Sequence, residues 1–322
     1  MAISHNIKPD PGLTRRMLMT GFFLVVLYAV LIGFLFLVLK SLLLILVIAF
    51  GLLFCQYYFS DKIAMFAMHA KEVTPQEAPA LHGVVDRLCA LADMPKPRVA
   101  IAQTDVPNAF ATGRSPKAAV VCATTGLLRR LDEPEVEAVL AHEISHVAHR
   151  DVAVMTIASG LGMIAGLLTR VMFYSELFGG GGRGGNNNNS GGQLVLIEMA
   201  VMLVSIIVYF VSFLLTMALS RYRELAADRS GAILIGQPSR LASALIKISG
   251  EMGRIPTKDL RAAEPFNAFF FVPAVAGQAA QDQHRGQGGG DFSFSGLFRT
   301  HPTLERRLAQ LDQLEHELGQ AR

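Results

Sequence analysis

The chain alternates long apolar runs with polar blocks, and the runs predict helices of membrane-crossing length. From Met17 to Phe59 the sequence is almost wholly apolar, broken in the middle by Lys40 and Ser41. As a helix this stretch would measure about 64 Å, or roughly two bilayer crossings. It predicts a tight transmembrane hairpin, with one long helix and a buried Lys40 as the alternative, because the turn holds neither Gly nor Pro. Val152 to Thr169 and Leu194 to Leu219 predict a third and a fourth span. Gly162 and Gly166 mark a close helix-packing face in the third. Between these spans, Gly179 to Gly192, with Asn186 to Asn189 inside it, has nothing to bury and predicts a loose loop.

Two polar blocks remain, Ser60 to Asp151 and Ser220 to Arg322. In the first, Pro75 to Met94 has helical periodicity. Three β-rich stretches follow, Arg98 to Gln103, Asn108 to Thr112 and Ala118 to Cys122, with short gaps that suit a small meander. The second block predicts helices near Tyr222 to Ile233, Ser239 to Met252 and Pro302 to Leu318. Gly277 to Gly290 is a Gly/Gln-rich insertion between the last two.

Composition agrees with the pattern. Of 322 residues 52% are hydrophobic, too many for an ordinary soluble domain of this size. The net charge of +3 is small and its basic residues are scattered, which argues against a nucleic-acid partner. Cys55, Cys89 and Cys122 lie far apart without CxxC spacing, so they predict neither a disulfide framework nor a thiolate metal site. Arg15 and Arg16 precede the first apolar run without a small-residue cleavage pattern, which reads as an uncleaved anchor.

The candidate chemistry lies on the helix expected from Glu135 to Arg150, with Asp132 as its N-cap and Pro134 in its first turn. This helix carries His142, Glu143 and His146 in the pattern HExxH. Histidines four apart share one helix face, so both imidazoles reach one ion while Glu143 meets a water at that ion. Two surface histidines would give the same pattern, so context has to decide. The metzincin continuation is excluded, because its Gly and third His positions are His149 and Val152 here. A glutamate from a second helix is the thermolysin-like alternative, and Glu224 is the best candidate. His146 lies six residues before the third apolar run and Glu224 five residues after the fourth. On straight helices the two sit about 9 Å and 7.5 Å from the membrane surface, at one height on adjacent antiparallel helices. Asp228, one turn beyond Glu224, is placed to accept an N–H from a ligating histidine. His149 reads as a supporting or structural histidine rather than a ligand.

These motifs resemble the HtpX family of membrane zinc metalloproteases, relatives of the CAAX prenyl proteases. The resemblance rests on an N-terminal apolar pair, Pro107-Asn108-Ala109-Phe110-Ala111-Thr112-Gly113, His142 to His146 followed by Asp151, a second apolar pair, Glu224 to Asp228, and Thr300-His301-Pro302. It implies an α+β integral membrane protein with four transmembrane helices and a mainly helical gluzincin-type catalytic domain carrying a small β-sheet. The expected division is a tail over 1–16, a hairpin over 17–59, half the catalytic domain over 60–151, spans over 152–219 with a Gly/Asn-rich loop at 175–193, and the second half over 220–322. It also implies one zinc ion per chain and a bacterial inner-membrane location facing the cytoplasm. Its expected substrates are damaged or misassembled membrane proteins and unfolded polypeptides, with self-cleavage at the flexible tracts.

Charge around the spans agrees with that orientation. Lys8, Arg15, Arg16, Lys62, Lys71, Arg150, Arg221 and Arg223 would lie on one side, against Lys40, Arg170 and Arg183 on the other. His301 is expected to gate or stabilise the site, or else to be a solvent-exposed loop histidine. The strand from Asn108 is expected to receive an extended substrate, or simply to complete the sheet. A transporter bundle is the competing class, but the apolar runs hold only Glu198 and Lys40 as ionisable residues. An inactive membrane scaffold is the third reading, and the complete His, Glu, His, Glu set argues against it.

Overall fold

The computed structural model describes residues 10–38, 42–179, 188–252 and 301–320. Its elements in chain order are α1 (Pro11–Val38), α2 (Leu42–Tyr58), α3 (Ser60–Ala67), β1 (Ala70–Glu72), α4 (Pro79–Leu91), β2 (Arg98–Ala102), β3 (Ala109–Thr112), a short 3-10 turn (Pro116–Ala118) and β4 (Val120–Thr124). They continue as α5 (Thr125–Arg130), α6 (Glu133–Ala148), α7 (Asp151–Gly179), α8 (Asn188–Ile235), α9 (Pro238–Met252) and α10 (Leu304–Gln320).

Four apolar helices, α1, α2, α7 and α8, pack together. Among the described residues, Pro11–Phe34, Asp151–Arg170 and Met199–Ile235 are long and apolar enough to cross a membrane. A Cβ added at Gly160 of α7 would lie 2.8 Å from both the Tyr28 hydroxyl of α1 and a Leu53 methyl of α2. On one straight helix Tyr28 and Leu53 would be about 37 Å apart, so α1 and α2 double back as a hairpin. Lys40, where the turn is expected, lies outside the described residues. Gly162 and Gly166 face α8 as expected, the first against Ser212 and the second against the Tyr209 ring. Leu24, Leu31, Leu161, Leu168, Val201 and Val208 form the bundle's own buried core.

Several expectations are corrected. The loop expected over Gly179 to Gly192 is shorter, because α7 runs through Gly179 and α8 starts at Asn188. Residues 180–187 and the Gly/Gln tract lie outside the described residues. The fourth apolar run and the helix bearing Glu224 are one 48-residue helix, α8, so the straight helix assumed for Glu224 is present. The HExxH helix does not continue straight into α7. It ends at Ala148, and Arg150 turns the chain through a left-handed φ of 55°.

The β-rich stretches do not form a meander. They make a four-stranded mixed sheet in the order β1-β2-β4-β3, with β2 and β4 parallel and both outer pairs antiparallel. β4 inserts between β2 and β3, so β3 becomes an outer strand. β1 was not expected, since Ala-Lys-Glu carries no strand pattern.

The sheet packs with α4, α6, α9 and α10 around a second core that includes Val85, Leu88, Val121, Leu140, Ile144, Leu245, Ile248 and Leu314. α6 starts with a capping box, in which the Asp132 side chain takes the Glu135 N–H and the Glu135 side chain takes the Asp132 N–H. α9 buries Leu241, Ala244, Leu245, Ile248 and Met252 at helical spacing.

Candidate metal centre and active site

α8 crosses α6 at the HExxH turn, and the crossing is very close. A Cβ at Gly231 would lie 2.7 Å from the His142 backbone nitrogen, nearer than any side chain tolerates. The two helices run antiparallel there, since His146 faces Glu224, His142 faces Asp228, and Gly231 follows one turn on.

The crossing brings three side chains to one point. His142, His146 and Glu224 each offer a ligand atom, and these atoms lie within 4.8 Å of one another. His142 Nε2 and His146 Nε2 are 3.1 Å apart. Glu224 Oε1 is 3.4 Å from His146 Nε2, and its Oε2 is 3.8 Å from His142 Nε2.

The far side of each imidazole fixes what these atoms can do. His142 Nδ1 donates to Asp228 Oδ1 at 2.9 Å, and His146 Nδ1 donates to Asp151 Oδ2 at 2.5 Å. With both protons on Nδ1, both Nε2 atoms present lone pairs to each other and to a carboxylate. In the neutral tautomers three acceptors converge, and a cation satisfies all three. Ligands about 2.0–2.1 Å from a tetrahedral zinc lie about 3.3 Å apart, close to the spacings observed. The donor set therefore fits zinc.

Each supporting carboxylate is held in turn by an arginine. Asp228 takes two hydrogen bonds from buried Arg307, from Nε at 2.7 Å and from Nη2 at 2.6 Å. Asp151 lies 2.6 Å from Arg223 Nη2. The site thus has two parallel chains, Arg307 to Asp228 to His142 and Arg223 to Asp151 to His146. Burial alone would lower the pKa of His146, but Asp151 and Glu224 outweigh it and raise it to about 10. The pocket between these carboxylates thus favours positive charge. At His142 burial wins and the pKa falls.

Glu143 is buried beside the converging atoms, and burial raises its pKa to about 8. The Ala111 backbone N–H bonds its carboxylate, which places the end of β3 over the HExxH helix. A cavity of about 600 Å³ opens here. It is walled by Ala109 to Thr112 on one side and by Met155, Ser159, Thr216 and Met217 of the bundle on the other.

His301 is buried, not solvent-exposed. Its Nδ1 lies 3.1 Å from Glu224 Oε2, in the cavity wall. Asn108 does not line the cavity. It is fully buried, with its N–H donating to Thr124 Oγ1 and its C=O accepting from the Thr124 N–H, so it anchors β3 to β4. His149 stays outside the site, exposed at the end of α6 with Nε2 3.4 Å from Ser230 Oγ.

Arg307 and Gly231 have no place in the sequence reading, while Asp151 enters only through the family motif and Arg223 only through the charge around the spans. Arg307 left a readable signal, since it occupies the buried stripe of α10 with Leu311, Leu314 and Leu318. An arginine at a core position needs a buried partner.

Comparison with known proteins places the chain in a family. Residues 75–315 match the model of Peptidase family M48. The chain is 54% identical to "Protease HtpX homolog 1" of Streptomyces coelicolor over 320 residues, covering 99% of this chain and 98% of that protein. It is 49% identical to "Protease HtpX homolog" of Moorella thermoacetica over 318 residues, 99% of each. It is 47% identical to "Protease HtpX homolog 2" of Methanosarcina mazei over 310 residues, 96% of this chain and 98% of that protein.

Proposed function

The chain belongs to peptidase family M48, and we propose that it is a membrane zinc endopeptidase of the HtpX type that hydrolyses damaged or misassembled membrane proteins. The observation that carries this reading is the convergence of His142 Nε2, His146 Nε2 and Glu224 on one point, with both Nδ1 protons held by carboxylates. His142, His146 and Glu224 would hold one zinc ion, the gluzincin arrangement of HExxH plus a glutamate. Zinc, when bound, polarises the scissile carbonyl and brings the pKa of a water toward neutrality.

The chain's own residues do the rest. Glu143 takes the proton of the attacking water and passes it to the leaving amine. Asp228 and Asp151 keep both imidazoles in the ligating tautomer, and Arg307 and Arg223 keep those carboxylates ionised and aimed. His301, with Nδ1 3.1 Å from Glu224 Oε2, helps orient that carboxylate.

Substrate would bind β3 as an added strand. Asn108 faces β4, so the alternation of an antiparallel pair turns Ala109 and Ala111 toward the open edge. The Ala111 N–H is used by Glu143, which leaves the Ala109 groups and the Ala111 C=O for a peptide. Backbone pairing of this kind selects extended, unfolded segments over particular residues.

α1, α2, α7 and α8 would make four crossings, with both polar blocks on the cytoplasmic side of the inner membrane. The short α2 completes the bundle through its packing on α7. Casein digestion by the purified protein tests the activity. Chelation should abolish it and stoichiometric zinc restore it; activity indifferent to chelator would overturn the reading.

A further inference from the structure

The short helix α3 carries a feature the protease chemistry does not use. Phe59, Ile63 and Phe66 fall at i, i+4 and i+7, on one face. They are 39%, 50% and 84% exposed. The opposite face is buried, with Ala64 in a small core and Asp61 paired to Arg98 of β2 at 2.5 Å. An ion pair on one side and three large apolar groups on the other fix how α3 is turned, so the exposed face is held outward.

α3 also sits where the bundle meets the polar block. It follows α2 almost directly, and Ser60 and Ile63 line the same cavity as Val152 and Ser220. Val152 begins the apolar run of α7 and Ser220 follows that of α8, so α3 is level with the ends of two spans. Aromatic groups gather there, with Phe54 stacked on Tyr58 and Tyr58 edge-on to Phe59. Cations lie over two of them, Arg114 4.3 Å from the Tyr58 ring centre and Lys62 5.6 Å from that of Phe59. Amphipathic aromatics with flanking cations match the headgroup region of a bilayer.

We propose that Phe59, Ile63 and Phe66 form a lipid-binding face that seats α3 in the bilayer interface, roughly 5–10 Å into the headgroup and acyl boundary. Because Ile63 also lines the cavity, one rim of the cleft is then immersed in the interface. A polypeptide entering over that rim is presented as it leaves the membrane. This rests on the reading of the cavity as the proteolytic cleft, whereas the lipid contact of α3 does not.

The chain contains no tryptophan, so Phe66→Trp makes a sole reporter. The full-length variant would be reconstituted in phosphatidylethanolamine and phosphatidylglycerol vesicles, with chelator present to hold proteolysis off. The expected result is blue-shifted emission, quenched more by lipids brominated near the top of the acyl chain than by those brominated near its end. Phe59→Trp should behave alike, which guards against misfolding of one variant. Leu91→Trp, exposed on α4 of the polar block, should stay unquenched. Emission of a water-exposed indole at both positions overturns the proposal, as does a shielded indole that no brominated lipid quenches, the result for a protein partner. Casein activity is read separately, so loss of activity with quenching intact would indict the cleft reading alone.

Discussion

Gly231 lies against the backbone of His142 so closely that a Cβ would stand 2.7 Å from the His142 nitrogen. This contact sets the distance between α6 and α8, and with it the reach of Asp228 and Glu224 to the two imidazoles. Gly231→Ala must push the helices apart, at a cost of about 1–3 kcal/mol of overpacking. It should lower both the unfolding midpoint and zinc affinity. Gly250→Ala on α9 meets nothing within 4 Å and should instead stabilise by up to about 1 kcal/mol. Equal stability of the two variants would mean the crossing relaxes freely.

Removing a ligand and removing its support should separate in two assays. Glu224→Ala should weaken zinc binding by roughly ten- to hundredfold or more, and Asp228→Ala less. Asp228→Ala should nevertheless be the more destabilising, because it leaves Arg307 buried without its carboxylate, at about 3–5 kcal/mol. Metal content and urea unfolding of the two variants check the pair. Equal zinc content in wild type and Glu224→Ala would remove Glu224 from the site.

Sidedness is open to thiol labelling, but not through the native cysteines of the polar block. Burial pushes the Cys89 thiol up to about 11 and Cys122 up to about 12. Both should stay unlabelled at neutral pH on either side of the membrane and react only on unfolding. Asp312, exposed on α10, gives a usable partner for Asn187. In intact cells an impermeant maleimide should label Asn187→Cys and spare Asp312→Cys, and the reverse pattern would place the catalytic side outside.

What could be read from the sequence was local. His142, Glu143 and His146 lie within one turn, and helix geometry alone gives them a common face. Glu224 was reachable because two span ends fixed its height. Glu224 does stand beside the two histidines, although α6 breaks at Arg150 and does not run straight into α7. The break turns Asp151 back onto His146, and the salt bridge to Arg223 helps offset the roughly 1–2 kcal/mol cost of a left-handed residue. Sheet order was not legible, because the parallel pairing of β2 with β4 depends on contacts between distant segments. Arg307 comes to the site from the far end of the chain, and no local pattern says which carboxylate it meets.

In the proposed mechanism Glu143 handles the proton and not the metal. Glu143→Gln keeps the shape of the side chain and its hydrogen bonding but cannot accept a proton. The decisive measurement is the peptide hydrolysis rate of this variant against wild type at equal bound zinc. The expected result is unchanged zinc content with a rate lower by about 10²–10⁴-fold, and wild-type protein losing its intact band on standing with zinc while the variant stays whole. A zinc-loaded Glu143→Gln preparation, free of contaminating protease, that hydrolyses peptide at the wild-type rate would contradict it.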